Sequence, residues 1–248
     1  MALSCGIVGL PNVGKSTLFS ALTSVSVPAE NYDFCTIEPN RGIVPVPDER
    51  LQRVAGLYAP EKTTPTTLEF VDIAGLVRGA SKGEGLGNRF LAHIREVDAI
   101  VHVLRCFPDG EITHRYGDVD PVRDLELVET ELVLRDLETV EPRLIDVAKA
   151  RTGGDKNAQK LYPALQRAHA ALAAGTPLRA AGLHPNDLGN LAYLFLLTVK
   201  PAMIVANLGD DQDEHDSLFG ARTICGPGPG CAGRASSRQA AGRDRRAG

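Results

Sequence analysis

The chain has 248 residues, 43% of them hydrophobic and 23% charged, enough for one large α/β domain or one domain with an insertion around a real core. Its formal charge is −4, but residues 220–248 hold six Arg against one Asp, a surplus of +5 that leaves −9 on the preceding part. So acidic a body argues against nucleic-acid binding through overall charge, leaving only a local basic patch for that role, and no sequence-specific DNA binding is expected.

In chain order, the first apolar run is Leu3–Val8. No basic region precedes it and no small-residue cleavage site follows, so it reads as a strand and not as a signal peptide. Similar short runs rich in Val and Ile recur at 42–46, 67–71, 99–106 and 202–206, with helical stretches between them. Runs of this length without clean alternation suit strands buried on both faces, and the pattern predicts a doubly wound, mostly parallel sheet covered by helices. Ligands of such folds sit at the carboxyl ends of the strands. The loops after Val8, Val71, Cys106 and Ala206 are therefore expected to converge on one site.

Between about 120 and 180 the period changes. Val133, Leu137, Val140, Leu144 and Val147 are spaced four-three-four-three, and beyond "RTGGDK" Leu161, Leu165, Ala168 and Leu172 repeat the pattern. Two antiparallel helices joined by a glycine-containing turn, an inserted coiled-coil hairpin, are expected, with Glu129, Glu131, Arg135, Asp136 and Glu138 on the solvated side. In "LAYLFLLTVKPAMIVANL", Lys200 and Pro201 break the apolar run, which reads as a helix end followed by a buried strand and not as a membrane span. Five cysteines, Cys5, Cys35, Cys106, Cys225 and Cys231, contain no CxxC pair and point to neither a disulfide framework nor a zinc site, which fits a reducing cytoplasm. Beyond about Asp211 both periodicities vanish. The Gly-, Ala-, Arg- and Pro-rich composition predicts disorder and matches an out-of-frame reading of a GC-rich gene or a truncation scar, a basic interaction tail being the alternative. The resulting organisation is a nucleotide-binding domain over 1–120, a helical insertion over 121–180, the nucleotide-binding domain continued over 181–210, and a tail over 211–248.

The chemistry sits in "GLPNVGKS", residues 9–16, which satisfies GxxxxGK[ST] directly between a predicted strand and a predicted helix. Glycines let the backbone curl until successive N–H groups face phosphate oxygens, and the helix adds its positive end. Asn12, Val13, Gly14, Lys15, Ser16 and Thr17 form this cradle, with Lys15 reaching the β- and γ-phosphates and Ser16 ligating Mg²⁺. In "FVDIAGL", Asp72 ends a strand and Gly75 follows three residues later: the carboxylate suits Mg²⁺ and the glycine N–H a γ-phosphate. Thr36 in "FCTIEPN" is a further candidate Mg²⁺ ligand.

These stretches, together with "FVDIAGLVRGASKGEGLGNRFLAHIREVDAI" and "VRDLELVETELVLRDLETVE", resemble the Obg-related YchF family, or Obg-like ATPases, along nearly all of residues 1 to about 207. The resemblance implies an Mg²⁺-dependent P-loop hydrolase that prefers ATP over GTP, a coiled-coil insertion, a C-terminal TGS domain that is not recognisable here, and association with ribosomes as a cytoplasmic regulatory switch. A monomer is expected, without a membrane partner. Leu76 stands where many related GTPases have a water-orienting Gln, so another group must hold the attacking water. His114 in "EITH" resembles the family's catalytic histidine, and His93 is the second candidate. Asn12 resembles the asparagine that supports a K⁺ ion in related hydrolases. For the base, Asn207 and Asp210 keep the spacing of NKxD while Leu208 replaces its Lys; Asp210, where the family usually has Glu, leaves GTP chemically open. The competing expectations are a nucleotide-dependent binding module with negligible hydrolysis and a non-functional fragment.

Overall fold

In a computed structural model of the chain the described residues are 3–23, 41–58, 60–73, 86–107 and 118–209. Five strands form one sheet: β1 (Leu3–Val8), β2 (Arg41–Pro45), β3 (Thr67–Asp72), β4 (Ala99–Arg105) and β5 (Ala202–Asn207), in the order β2-β3-β1-β4-β5. Among the described residues only the β2–β3 pair is antiparallel. Each strand begins or ends within one residue of its sequence-based bounds, because Val and Ile stiff at χ1 favour extended backbone wherever a run is short and closed by turn residues.

Around the sheet lie α1 (Lys15–Thr23), α2 (Glu49–Tyr58) and α3 (Leu86–Glu96). Its middle is the first core: Ile7, Ile73, Ile94 and Ile100 are fully buried there. Each such side chain contributes about 1.5–3 kcal/mol on leaving water. Among the described residues no helix is long and apolar enough to cross a membrane.

The helices α4 (Pro121–Thr152) and α5 (Lys156–Ala173) form a hairpin. Asp120 caps α4 by accepting from the Arg123 amide at 3.1 Å, with Pro121 at the first helical position, and Asp155 caps α5 by accepting from the amides of Asn157 and Ala158 at 2.7 and 3.2 Å. Val133, Val140 and Val147 of α4 pack with Leu165, Ala168 and Leu172 of α5 in a second core, as the spacing predicts. A short helix α6 (Pro185–Leu191) closes this core before β5.

Two expectations fail here. Asp136 is 1% exposed and Glu131 8%, and Glu129 lies against the sheet, so that part of the charged stripe is covered, while Glu138 is exposed as expected. The reason is that α4 serves two cores: Val128 and Leu132 belong to the first and Val133 and Val140 to the second, which leaves part of the polar stripe covered as well. Nor is β5 buried on both faces. Among the described residues it is the sheet's edge, and Met203 is 55% exposed, so its apolar composition does not report its burial.

Candidate nucleotide-binding site

The carboxyl ends of β1, β3, β4 and β5 meet, as the strand-end argument requires. After β1 the chain turns directly into α1. At Gly9 a side chain would place its Cβ 2.5 Å from the Val103 carbonyl oxygen, so only glycine lets the loop leave this close to β4. Asn12 has φ +63 and Gly14 φ +94, left-handed positions that asparagine and glycine adopt most readily. Alternating backbone handedness turns successive N–H groups toward one concave side, which is an anion-binding arrangement. Helix α1 starts at Lys15, so the amides of Ser16 and Thr17, both exposed residues, lie in its first turn, where no intrahelical acceptor exists. The Leu18 amide donates to the Gly14 carbonyl at 2.9 Å and starts the helix ladder.

Lys15 is buried, and its Nζ donates to the Leu10 carbonyl oxygen at 2.7 Å. Burial lowers the ammonium's pKa, and the Asp72 carboxylate opposes that shift. An ammonium stripped of water inside a loop of inward amides gains free energy from an anion that desolvates with it. The Leu10 carbonyl was not foreseen as part of the site. It is a main-chain group inside the motif, and its side chain carries no sign of the role.

Asp72 ends β3 opposite the start of α1. Ser16 Oγ donates to its Oδ2 at 2.9 Å, while Oδ1 is buried and has no hydrogen-bond partner among the described residues. A hydroxyl beside a carboxylate oxygen that lacks a donor is a hard-oxygen set, and it fits Mg²⁺.

On the other side of the loop, Asn207 ends β5. Its Nδ2 donates to the Val13 carbonyl at 3.0 Å, and its own carbonyl accepts from the Cys106 amide at 2.8 Å. A Cβ on Gly14 would collide with the Asn207 amide nitrogen. Asn207 thus braces the phosphate loop against β4 and β5, a part its spacing to Asp210 did not suggest. Leu208 follows, half-buried. Burial, then Asp124, pushes the Cys106 thiol up to about 11, which keeps it protonated and inert beside the site. His93 is exposed on α3. Thr36, Gly75, Leu76, His114 and Asp210 lie outside the described residues.

The profile of the family described as 50S ribosome-binding GTPase matches residues 4–140, which include the loop, Asp72 and the first half of α4. The chain belongs to that family. Two relatives carry the name ribosome-binding ATPase YchF. The one from Escherichia coli O157:H7 is 51% identical over 216 residues, covering 87% of this chain and 60% of the relative, and the one from Bacillus subtilis strain 168 is 52% identical over 212 residues, covering 86% and 58%. The solved YchF GTPase of Schizosaccharomyces pombe superposes with a TM-score of 0.71 at 41% identity, covering 84% of this chain and 57% of that one. The chain therefore has the P-loop GTPase fold and is homologous to the YchF proteins, as its motifs led one to expect. It spans about 60% of the length of the curated relatives it matches.

Proposed function

We propose that this member of the family binds a nucleoside triphosphate with Mg²⁺, hydrolyses it with ATP preferred over GTP, and works as a switch on the ribosome in the cytoplasm. The observation that carries the reading is the Ser16–Asp72 pair, with its donor-free Asp72 oxygen, beside the buried ammonium of Lys15. In this reading Asn12, Val13, Gly14, Lys15, Ser16 and Thr17 hold the phosphates, and Gly75 senses the third of them. Ser16, Asp72 and Thr36 hold Mg²⁺, which when bound neutralises charge developing on the phosphate oxygens. His114 orients the attacking water, Asn12 holds a K⁺ ion, and Asn207, Leu208 and Asp210 line the base. The names of the half-identical relatives support the ribosome and ATP. Leu208 removes the Lys stem with which guanine readers cover the ring, Asp210 leaves GTP chemically open, and the preference for ATP rests on the family resemblance.

Leu76 favours a second reading, a nucleotide-dependent binding module whose hydrolysis is negligible. Titrating the purified chain with non-hydrolysable ATP and GTP analogues in Mg²⁺, then measuring phosphate release for wild type, Lys15→Ala and His114→Ala, separates the two. Tighter binding of the ATP analogue, with release lost in both variants, is the expected result. Binding without release selects the module. A folded chain that binds neither analogue refutes both.

A further inference from the structure

The phosphate loop is held by the carboxyl end of β5, and the helical hairpin by the turn that leads into the same strand. At the carboxyl end of β5, Asn207 donates to Val13 in the loop. At its amino end, the approach to β5 is tied to α4: Asp136 accepts from the Leu197 and Thr198 amides, both at 2.8 Å, and from Thr198 Oγ at 2.6 Å. All three residues are buried. Thr198 is also gripped from the far side of the hairpin, where its Oγ accepts from the Leu178 amide at 3.2 Å and its carbonyl from the Arg179 amide at 2.9 Å.

The same junction holds α3. Lys200 donates from Nζ to the carbonyls of Arg95 and Val97, and Arg95 donates to Thr139 of α4 at 3.4 Å. Nearer the middle of the sheet, Glu129 of α4 lies 2.8 Å from His102 Nε2 on β4 and pairs with Arg179. The hairpin is thus no loose appendage. Its longer helix is bolted at two levels, to β4 through His102 and to the turn before β5 through Thr198.

We propose that β5 couples the nucleotide site to the hairpin: occupancy of the phosphate loop, passed through Asn207, Thr198 and Asp136, resets the angle of α4 against the sheet. The coupling rests on the nucleotide-binding reading above and adds what binding does at a distance. From Asp136 to the end of α4 at Thr152 the helix runs about 24 Å at 1.5 Å per residue, so a turn of about 5° moves the hairpin tip by about 2 Å. Coupling of this kind is reciprocal. A partner seated on the hairpin therefore changes nucleotide affinity by the same factor as the nucleotide changes the partner's.

The test places spin labels, carried on unnatural side chains, at the exposed positions Gln52 on α2 and Thr152 at the hairpin tip. Their separation is measured by electron–electron dipolar spectroscopy with and without a non-hydrolysable ATP analogue and Mg²⁺, nucleotide binding being followed in parallel. Wild type is expected to shift by about 2 Å or more. Asp136→Asn, which sets an amide donor against the Thr198 donors, is expected to cut the shift by at least half while nucleotide still binds. Thr198→Val serves the same purpose should Asp136→Asn not fold. Bound nucleotide with no shift in wild type overturns the coupling, as does a full shift in a folded variant. A folded wild type that binds no nucleotide overturns the nucleotide-binding reading itself, and the binding record tells the two failures apart.

Discussion

Replacing Asp136 by Ala removes the acceptor of three buried donors. Thr198 Oγ can turn to another acceptor, but the Leu197 and Thr198 amides are fixed and surrounded by core, and each orphaned donor costs about 1–3 kcal/mol. Part of that loss is offset because the carboxylate is itself strained by burial, which raises its pKa against the pull of Thr198, Leu197 and Arg95. The net expectation is about 3 kcal/mol, a large share of the 5–15 kcal/mol typical of a domain. Equilibrium urea unfolding at pH 7, followed by circular dichroism, reads it as a lower midpoint at unchanged slope. The pH dependence supplies a second check. A carboxyl whose folded pKa is raised stabilises most below its unfolded value of 3.8 and loses that contribution as pH rises through the folded value, so the gap between wild type and variant widens in acid. A loss below about 1 kcal/mol at pH 7 would mean that water or a shifted backbone serves these amides, and the reasoning would fall.

Glu129→Gln should show the opposite pH trend: burial pushes the Glu129 carboxyl up, but His102 and Arg179 hold it below its usual value of 4.5, so its contribution is present above that pH and is lost as pH falls through the folded value. The difference from wild type in urea midpoints should accordingly close toward pH 3, and a gap that stays constant from pH 7 to pH 3 would contradict it. Gly14→Ala forces a side chain into a left-handed position and against Asn207, so about 2 kcal/mol of stability and most of the affinity for a triphosphate analogue should be lost together; calorimetry of the purified variant checks both. Asp72→Asn should weaken the apparent affinity for Mg²⁺ in analogue binding roughly tenfold or more, since it removes the anionic oxygen beside Ser16. Turnover in KCl should exceed turnover in NaCl if Asn12 holds a monovalent cation, and equal rates remove that role.

Read by itself, the sequence determined the strands, the phosphate loop and the hairpin's apolar seam. These are local: glycine and asparagine set the loop's backbone, β-branched runs set the strands, and a four-three spacing places Val133, Val140 and Val147 on one side of a helix. Only tertiary structure decided what the rest of α4 does. Periodicity tells which side of a helix is apolar; it does not tell whether the polar side will be covered too, and Asp136 and Glu131 were read as solvated for that reason. The bracing by Asn207 and the edge position of β5 depend on which strands become neighbours, and that order is settled by packing between segments as far as 194 residues apart.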